Sequence, residues 1–410
     1  MMRDAVNVRE FQHGGDAMTD GFDFDRVIDR RGTHCAKWDM MEPLYGVPAG
    51  DGLAMWVADM DFLPPREVNE ALAAAVAHGI HGYYGDDASL RAAICGWMAR
   101  RHGWRIEPDW ILNCHGLVSG TALCIQAFSE PGDGVVLFTP VYHAFHKIIR
   151  ANVRTIVQCP LAIEDGRYRM DLDRLAGQLT GRERLVILCS PHNPGGRVWT
   201  AREIAELAAL CAERDMVLVS DEVHHDLTMP GQAHSVAALA APDHIDRIVV
   251  LAAASKTFGL AGGMTGFAII PDAALRRRFS VPHQANGASP NRFGMIMTEA
   301  AYTHGDAWLD ALRRYLDGNR RLFDGGITAI PGLRSMPLQA TYLAWVDFSG
   351  TGMAEAEILE RVERRARIAA NHGPAFGQGG EGWLRFNLAM PRARVAEAVR
   401  RLQDAFADLQ

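Results

Sequence analysis

Short apolar runs alternate with amphipathic helical patterns through the middle of this chain, a rhythm that implies parallel strands joined by crossover helices. Six runs read as strands: Trp110 to Cys114, Val135 to Phe138, Leu185 to Cys189, Met216 to Val219, Ile248 to Leu251 and Thr265 to Ile270. Between the third and the fourth lies a clear helix. Thr200 as N-cap and Glu203 three residues on form a capping box, and Ile204, Leu207, Ala208 and Cys211 make one apolar face. The last hundred residues or so read differently. Two long helical patterns, about 303–325 and 392–409, flank a strand-rich stretch that includes Thr341 to Val346 and Trp383 to Phe386. Val395, Val399, Leu402, Phe406 and Leu409 recur at helical spacing, so the final helix has a face to pack. The pattern predicts a large α/β domain over 66–302 and a smaller α+β domain built discontinuously from 22–65 and 303–410, after a loose tail over 1–21. It contains no internal repeat and no low-complexity tract.

Composition narrows the class. A chain of 410 residues, 48% hydrophobic and 22% charged, suits a globular protein and excludes disordered and fibrous classes. A formal charge of -7 offers no basic surface to nucleic acid. Arg276-Arg277-Arg278 and Arg313-Arg314 read as solvated helix faces. The cysteines at 35, 95, 114, 124, 159, 189 and 211 form no C-x-x-C pair, and their odd number suits reduced thiols, mostly core residues, in a cytoplasmic protein. The first 20 residues lack the apolar centre of a signal peptide, and no stretch reaches the ~18 apolar residues of a membrane span. No export and no membrane insertion are therefore expected. Met18 is an alternative start to Met1.

Three segments carry candidate chemistry, each just past an apolar strand: Ser190-Pro191-His192-Asn193-Pro194-Gly195-Gly196-Arg197, Ser220-Asp221-Glu222-Val223-His224, and Ala254-Ser255-Lys256-Thr257. In an open α/β sheet, ligands bind beyond the carboxyl ends of the strands, where all three fall. A lysine at a strand's mouth, beside a hydroxyl and in a glycine-rich turn, is placed to become a desolvated amine that condenses with a carbonyl.

Asparagine, aspartate and Ser-Lys in that order at strand ends resemble the fold-type I pyridoxal-phosphate enzymes of the aminotransferase superfamily. Within them the chain resembles the MalY/PatB-type cystathionine β-lyase branch. The branch likeness rests on Arg30 to His34, Lys37-Trp38-Asp39, Met55 to Phe62, His78-Gly79-Ile80 with Gly82-Tyr83, Pro191 to Pro194, Ser220 to Glu222, Thr341 to Leu343 and Asn387 to Arg392. It covers nearly the whole chain from about Phe22. The resemblance implies a large domain with a mainly parallel seven-stranded sheet flanked by helices, a smaller α+β domain, and pyridoxal 5'-phosphate as cofactor.

It also implies roles. Lys256 would bind the cofactor covalently and move the substrate's α-proton. Asp221 would hold the cofactor's ring nitrogen protonated, since a buried carboxylate raises that nitrogen's pKa. Asn193 would bond the phenolic oxygen, with His224 beside it where classical aminotransferases carry a tyrosine. Leu117 and Val118, in the glycine turn His115 to Ser119, would offer backbone N-H groups to the phosphate at a helix N-terminus. Ser255 would add its hydroxyl, and Tyr83 would reach the phosphate of the other subunit of a homodimer with composite sites. Tyr142 would stack on the pyridine, although the bare sequence allows a core position equally. Arg385 would clamp the substrate carboxylate, for which a planar bidentate donor is suited; a surface salt bridge is the alternative. His224 and His225 as paired metal ligands are disfavoured, because adjacent histidines point in different directions on most backbones, and no metal is expected.

The chain departs from the family pattern in several places. Ala254 precedes Ser255, Gly259 stands where asparagine is usual, Gly195 replaces threonine or valine, His115 replaces proline, and Met264 occupies a position where relatives outside the branch carry a phosphate-binding arginine. Gly259 and Gly195 bear on the substrate pocket rather than on cofactor attachment. The resemblance implies β-elimination on cystathionine or another cysteine S-conjugate. An aminotransferase and a cofactor-bearing regulatory protein that binds a partner are the rival functions, since the same lysine serves the first and the same scaffold the second.

Overall fold

A computed structural model describes residues 21–409. Apart from Gly21, the expected tail lies outside these residues, as does the choice between Met1 and Met18.

Seven strands form the main sheet: β1 Ile111–Cys114, β2 Gly134–Thr139, β3 Thr155–Pro160, β4 Glu183–Cys189, β5 Val217–Asp221, β6 Ile248–Ala252 and β7 Gly266–Ile269. Their order is β1-β7-β6-β5-β4-β2-β3. The six expected strands are present within one or two residues at each end. The seventh, β3, escapes the apolar-run reading because it is an edge strand, with Thr155 exposed and only Cys159 fully buried. The sheet is mainly parallel, as expected; β7 alone pairs antiparallel with both neighbours, β1 and β6. Strand alternation sends side chains to opposite faces. Val135, Leu137, Ile187, Val219, Val249 and Leu251 pack under the helices Gly116–Phe128 and Ala273–Ala285. Val136, Phe138, Val186, Leu188, Leu218 and Val250 join a core that runs on into the C-terminal part of the chain.

That part holds a four-stranded antiparallel sheet, β8 Arg334–Ser335, β9 Leu343–Asp347, β10 Asn371–His372 and β11 Trp383–Asn387, in the order β8-β9-β11-β10. β9 starts two residues later than expected because Thr341 takes a left-handed φ of 72°, which interrupts an extended run. The helical pattern of about 303–325 resolves into a helix Asp306–Thr328, preceded by a separate helix Arg292–His304. Gly305 joins them where the backbone presses on Phe258: a Cβ there would lie 2.4 Å from that ring. The capping box forms, with Glu203 N-H donating to Thr200 Oγ1 at 3.2 Å and Thr200 N-H to Glu203 Oε2 at 2.7 Å. No described helix is long and apolar enough to cross a membrane. All seven cysteines are unpaired and five are buried.

One expectation fails on the helix Asp306–Thr328. Arg313 is not a solvated residue: its guanidinium is half-buried and donates to Thr228 O and Thr228 Oγ1, both at 2.8 Å. Arg276 is likewise tied down, to Asp109 at 3.0 Å and to two carbonyls, whereas Arg277 and Arg278 are exposed.

The N-terminal segment is bound to the C-terminal region. Leu53-Ala54 pairs in parallel with Ile368-Ala369, and Asp61 N-H donates to Ala389 O at 2.9 Å. Its anchor is a buried ion cluster in which Lys37 Nζ, wholly buried, meets Asp61 Oδ2 at 2.8 Å. Asp61 also accepts from Arg30 at 2.9 Å and Trp38 Nε1 at 3.1 Å. Breaking a buried pair leaves a charge without compensation, so Asp61→Ala is expected to lower stability by about 3–5 kcal/mol. Lys37→Met should cost less, because Asp61 keeps Arg30 and Trp38. Denaturant midpoints of both variants check this, and an equal loss in the two would contradict it.

Candidate active site

The carboxyl ends of the parallel strands open onto a cavity of about 510 Å³. Asp221 ends β5, Asn193 follows β4, Tyr142 follows β2, and the glycine turn after β1 opens the helix Gly116–Phe128. Lys256 lies in the reversal between β6 and the antiparallel β7, at the same carboxyl end of the parallel strands. Lys256, Ser255, Asp221, His224, Asn193, Tyr142, Leu117, Val118 and Arg385 all line this one cavity. Tyr83 does not: it is 103% exposed and lies beside a separate surface depression.

Lys256 Nζ donates to Ala58 O at 2.7 Å, and burial pushes its pKa below the usual lysine value, an effect that Asp59 opposes. Asp221 is buried, its Oδ1 accepting from Val223 N-H at 3.1 Å. Burial raises its pKa to about 6, with Val223 and Lys256 acting the other way. A buried carboxylate so poorly compensated suits a cationic N-H partner in the cavity. His224 is held well below its usual range, first by burial and then by Lys256 and Arg385, so its ring is neutral. Among the described residues its buried Nδ1 has no hydrogen-bond partner, so it suits a ligand's oxygen or hydroxyl.

Arg385, on β11, is buried among neutral partners. Its guanidinium donates to Asn193 Oδ1 at 2.8 Å, to Trp56 O at 2.7 Å and to Asn371 Oδ1, while Nε has no partner. Burial lowers its pKa to about 10. With no carboxylate in contact among the described residues, this buried cation is available to an anionic ligand, which excludes the surface salt bridge. Gly116 takes φ 77°, and beyond it the first N-H groups of the helix, including those of Leu117 and Val118, have no intrahelical partner.

The irregular segment 56–60 forms part of the wall, and side chains satisfy its carbonyls one after another. Trp56 O accepts from Arg385, Val57 O from Asn387, Ala58 O from Lys256, Asp59 O from Lys37 and Asn387, and Met60 O from Arg30. The motif Met55 to Phe62 is thus a backbone scaffold for the lysine and the arginine. Sequence reasoning missed Ala58 and the cavity-lining Tyr45, His143 and Asn371. His143 is held at about 4 by burial and by Arg385, so it is a neutral wall group. His143 lies beside Tyr142 in the sequence, which was its only signal; Asn371 and Tyr45 carry none.

The departures fall differently from expectation. Neither Gly195 nor Gly259 lines the cavity. A Cβ on Gly195 would lie 2.4 Å from Tyr168, so that glycine makes room for a tyrosine ring in the core; Gly259 takes φ 69° in the turn after Lys256. The two that do line the cavity are His115 and Met264.

Comparison with known proteins agrees with this geometry. The model of the aminotransferase class I and II family matches residues 52–402. Cystathionine beta-lyase PatB of Bacillus subtilis (strain 168) is 40% identical over 385 residues, spanning 93% of this chain and 99% of its own. Protein MalY of Escherichia coli (strain K12) is 31% identical, spanning 94% of this chain and 98% of its own. Among solved structures, cystalysin from Treponema denticola, which contains a pyridoxal 5'-phosphate cofactor, superposes with a TM-score of 0.91 at 33% identity, over 95% of this chain and 100% of its own. With Lys256 and Asp221 lining one cavity at the strand ends and a matching family model over most of its length, the chain belongs to the aminotransferase class I and II family.

Proposed function

We propose that the protein is a pyridoxal-phosphate-dependent carbon-sulfur β-lyase that cleaves L-cystathionine or a related cysteine S-conjugate to thiol, pyruvate and ammonia. The observation that carries this reading is the meeting of Lys256, Asp221 and a carboxylate-free Arg385 in one cavity. The names of the relatives favour the lyase over the transaminase.

The residues present fit the cofactor. Asp221 lacks the cation that an N-protonated pyridine ring supplies, His224 Nδ1 lacks a partner, and the helix N-terminus at Gly116 suits a phosphate. Bound there, pyridoxal 5'-phosphate supplies a carbonyl for the amine of Lys256 or of the substrate and an electron sink for the pair left at the substrate's Cα. Asp221 would hold the ring nitrogen charged, Asn193 and His224 would bond the phenolic oxygen, Tyr142 would lie against the ring, and Leu117, Val118 and Ser255 would hold the phosphate. Arg385 fixes the substrate carboxylate. Lys256, its pKa lowered by burial, takes the α-proton as a general base. As the Cβ–S bond breaks, the sulfur leaves as thiolate, and the released 2-aminoacrylate hydrolyses to pyruvate and ammonia.

Incubation with cystathionine and no added 2-oxo acid tests the reading. Continuous release of pyruvate and homocysteine is expected. A transaminase would stop after one turnover, and a partner-binding regulator would release nothing; either outcome overturns the lyase.

In the same reading the enzyme is a cytoplasmic homodimer, its smaller domain, 22–65 with 303–410, closing over the larger one, 66–302. The pairing of Leu53-Ala54 with Ile368-Ala369 supports the discontinuous domain, and seven unpaired cysteines suit a reducing compartment. Full exposure of Tyr83 supports its crossing to the neighbouring subunit's phosphate. Mixing Tyr83→Phe with Lys256→Ala subunits should restore part of the activity, because one heterodimer site then has both defects and the other neither. Absence of recovery after proven subunit exchange would refute shared sites.

A further inference from the structure

His224 and His225 diverge. His224 lines the cavity, whereas His225 turns into the interior, 1% exposed, with neither ring nitrogen in a hydrogen bond. There it meets groups that the proposed reaction leaves unused. Its ring centroid lies 4.1 Å from that of His102 and 5.9 Å from that of His234, and those two lie 6.0 Å apart. Two carboxylates close the cluster. His102 Nε2 is 2.8 Å from Asp226 Oδ1, His234 Nε2 is 2.7 Å from Glu222 Oε2, and His225 Nε2 is 3.4 Å from Asp226 Oδ2. Ligand atoms of His102, His225 and Asp226 lie within 4.8 Å of one another, as do those of Glu222, His225 and His234, so His225 is common to both groups.

Among the described residues the ion pairs of both carboxylates are with imidazoles. A dication can balance the buried Glu222, and imidazole with carboxylate is a donor set that zinc-class ions take. The buried His225 ring makes no hydrogen bond among the described residues and meets a carboxylate only at 3.4 Å, in Asp226, so a ligated ion would satisfy a nitrogen that the protein leaves poorly matched.

We propose that His225, His234 and Glu222 form a binding site for one divalent transition-metal ion of the zinc class, with a structural role, and that His102 and Asp226 flank it. Further hydrogen bonds orient the carboxylates, as is usual around metal ligands. Asp226 accepts from Trp97 Nε1 at 3.0 Å and Thr257 Oγ1 at 2.6 Å, and Glu222 accepts from Ser220 Oγ and Ala237 N-H, both at 2.9 Å. Through His225 the ion holds the turn that carries His224, and Asp226, 3.4 Å from His225, in turn holds Thr257 beside Lys256. The site is distinct from the cavity and independent of the reaction proposed for it.

The test uses tag-free, full-length holoprotein produced in zinc- or cobalt-supplemented medium, so that the ion is available while the chain folds around the buried site. Elemental analysis should find about one ion per chain, a stoichiometry expected of a built site. The cobalt form should show ligand-field absorption, and X-ray absorption at the metal edge should report imidazole ligands. His225→Gln and His234→Gln, with folding checked by circular dichroism, should each lose the ion. Wild-type protein without a stoichiometric ion from either medium would overturn the site, leaving the histidines' own protons to balance the carboxylates. Retention of the ion by folded His225→Gln, or an edge spectrum without imidazole, would also overturn it. If both variants fail to fold, ion content and edge spectrum of the wild type decide the matter alone.

Discussion

Lys256→Ala is expected to abolish turnover while leaving the protein folded. Lys256 makes one hydrogen bond, to Ala58 O, and lies at the cavity wall rather than in the core. Removing it therefore creates no large void, and cavity water can take the freed carbonyl. The chemical loss is of another order. The amine lines the same cavity as Asp221 and Arg385, and losing a general base alone costs roughly 10²–10⁴-fold in rate. Loss of covalent attachment to the cofactor adds to that. Pyruvate release from cystathionine is the readout, with the thermal midpoint as control. Borohydride reduction should fix the cofactor to wild-type Lys256 and leave the variant unlabelled. Near-wild-type turnover in a folded Lys256→Ala protein would end the assignment.

How far the sequence carried depends on whether a feature is local. Strands buried on both faces announce themselves as apolar runs, and β4, β5 and β6 fall within two residues of where the pattern places them. β3 does not, because an edge strand needs little apolar surface, and the antiparallel sense of β7 is set by the turn through Lys256 rather than by composition. The same division holds at the cavity. Asn193, Asp221 and Lys256 were legible because each is a polar residue directly after a buried strand. Ala58 was not, since it acts through a carbonyl any residue would supply, 198 positions from the lysine it receives. Asn371 and Arg385 meet through strand pairing of β10 with β11, a register no local window encodes. Gly195 misled for a related reason: its neighbour Tyr168 is distant in sequence, so a packing glycine looked like a change in the pocket. His224 and His225 were expected to point in different directions, and they do, but no local signal placed the distant His102 and His234 beside His225.

Asp221→Asn is expected to cost activity and, in the cofactor-free protein, to raise stability. Asparagine keeps the size and the bond from Val223 N-H but cannot carry the charge that holds the ring nitrogen protonated, so turnover should fall on the order of 10²-fold, as when a preorganised electrostatic partner is removed. Stability moves the other way. The folded pKa of Asp221 is raised from 3.8 to about 6, so below the unfolded value the carboxyl costs nothing, and as pH rises through the folded value the folded state loses stability. By pH 7 that penalty is about 3 kcal/mol, at about 1.4 kcal/mol for each unit of difference. Asparagine is free of it. Urea midpoints of the cofactor-free proteins should therefore favour Asp221→Asn at pH 7, and the gap should close as pH falls toward 4. With cofactor bound the order should shrink or reverse, because the wild-type carboxylate then gains its cation. Equal turnover in the two proteins, or a stability gap that widens toward low pH, would mean that the buried charge of Asp221 is not held in reserve for the cofactor.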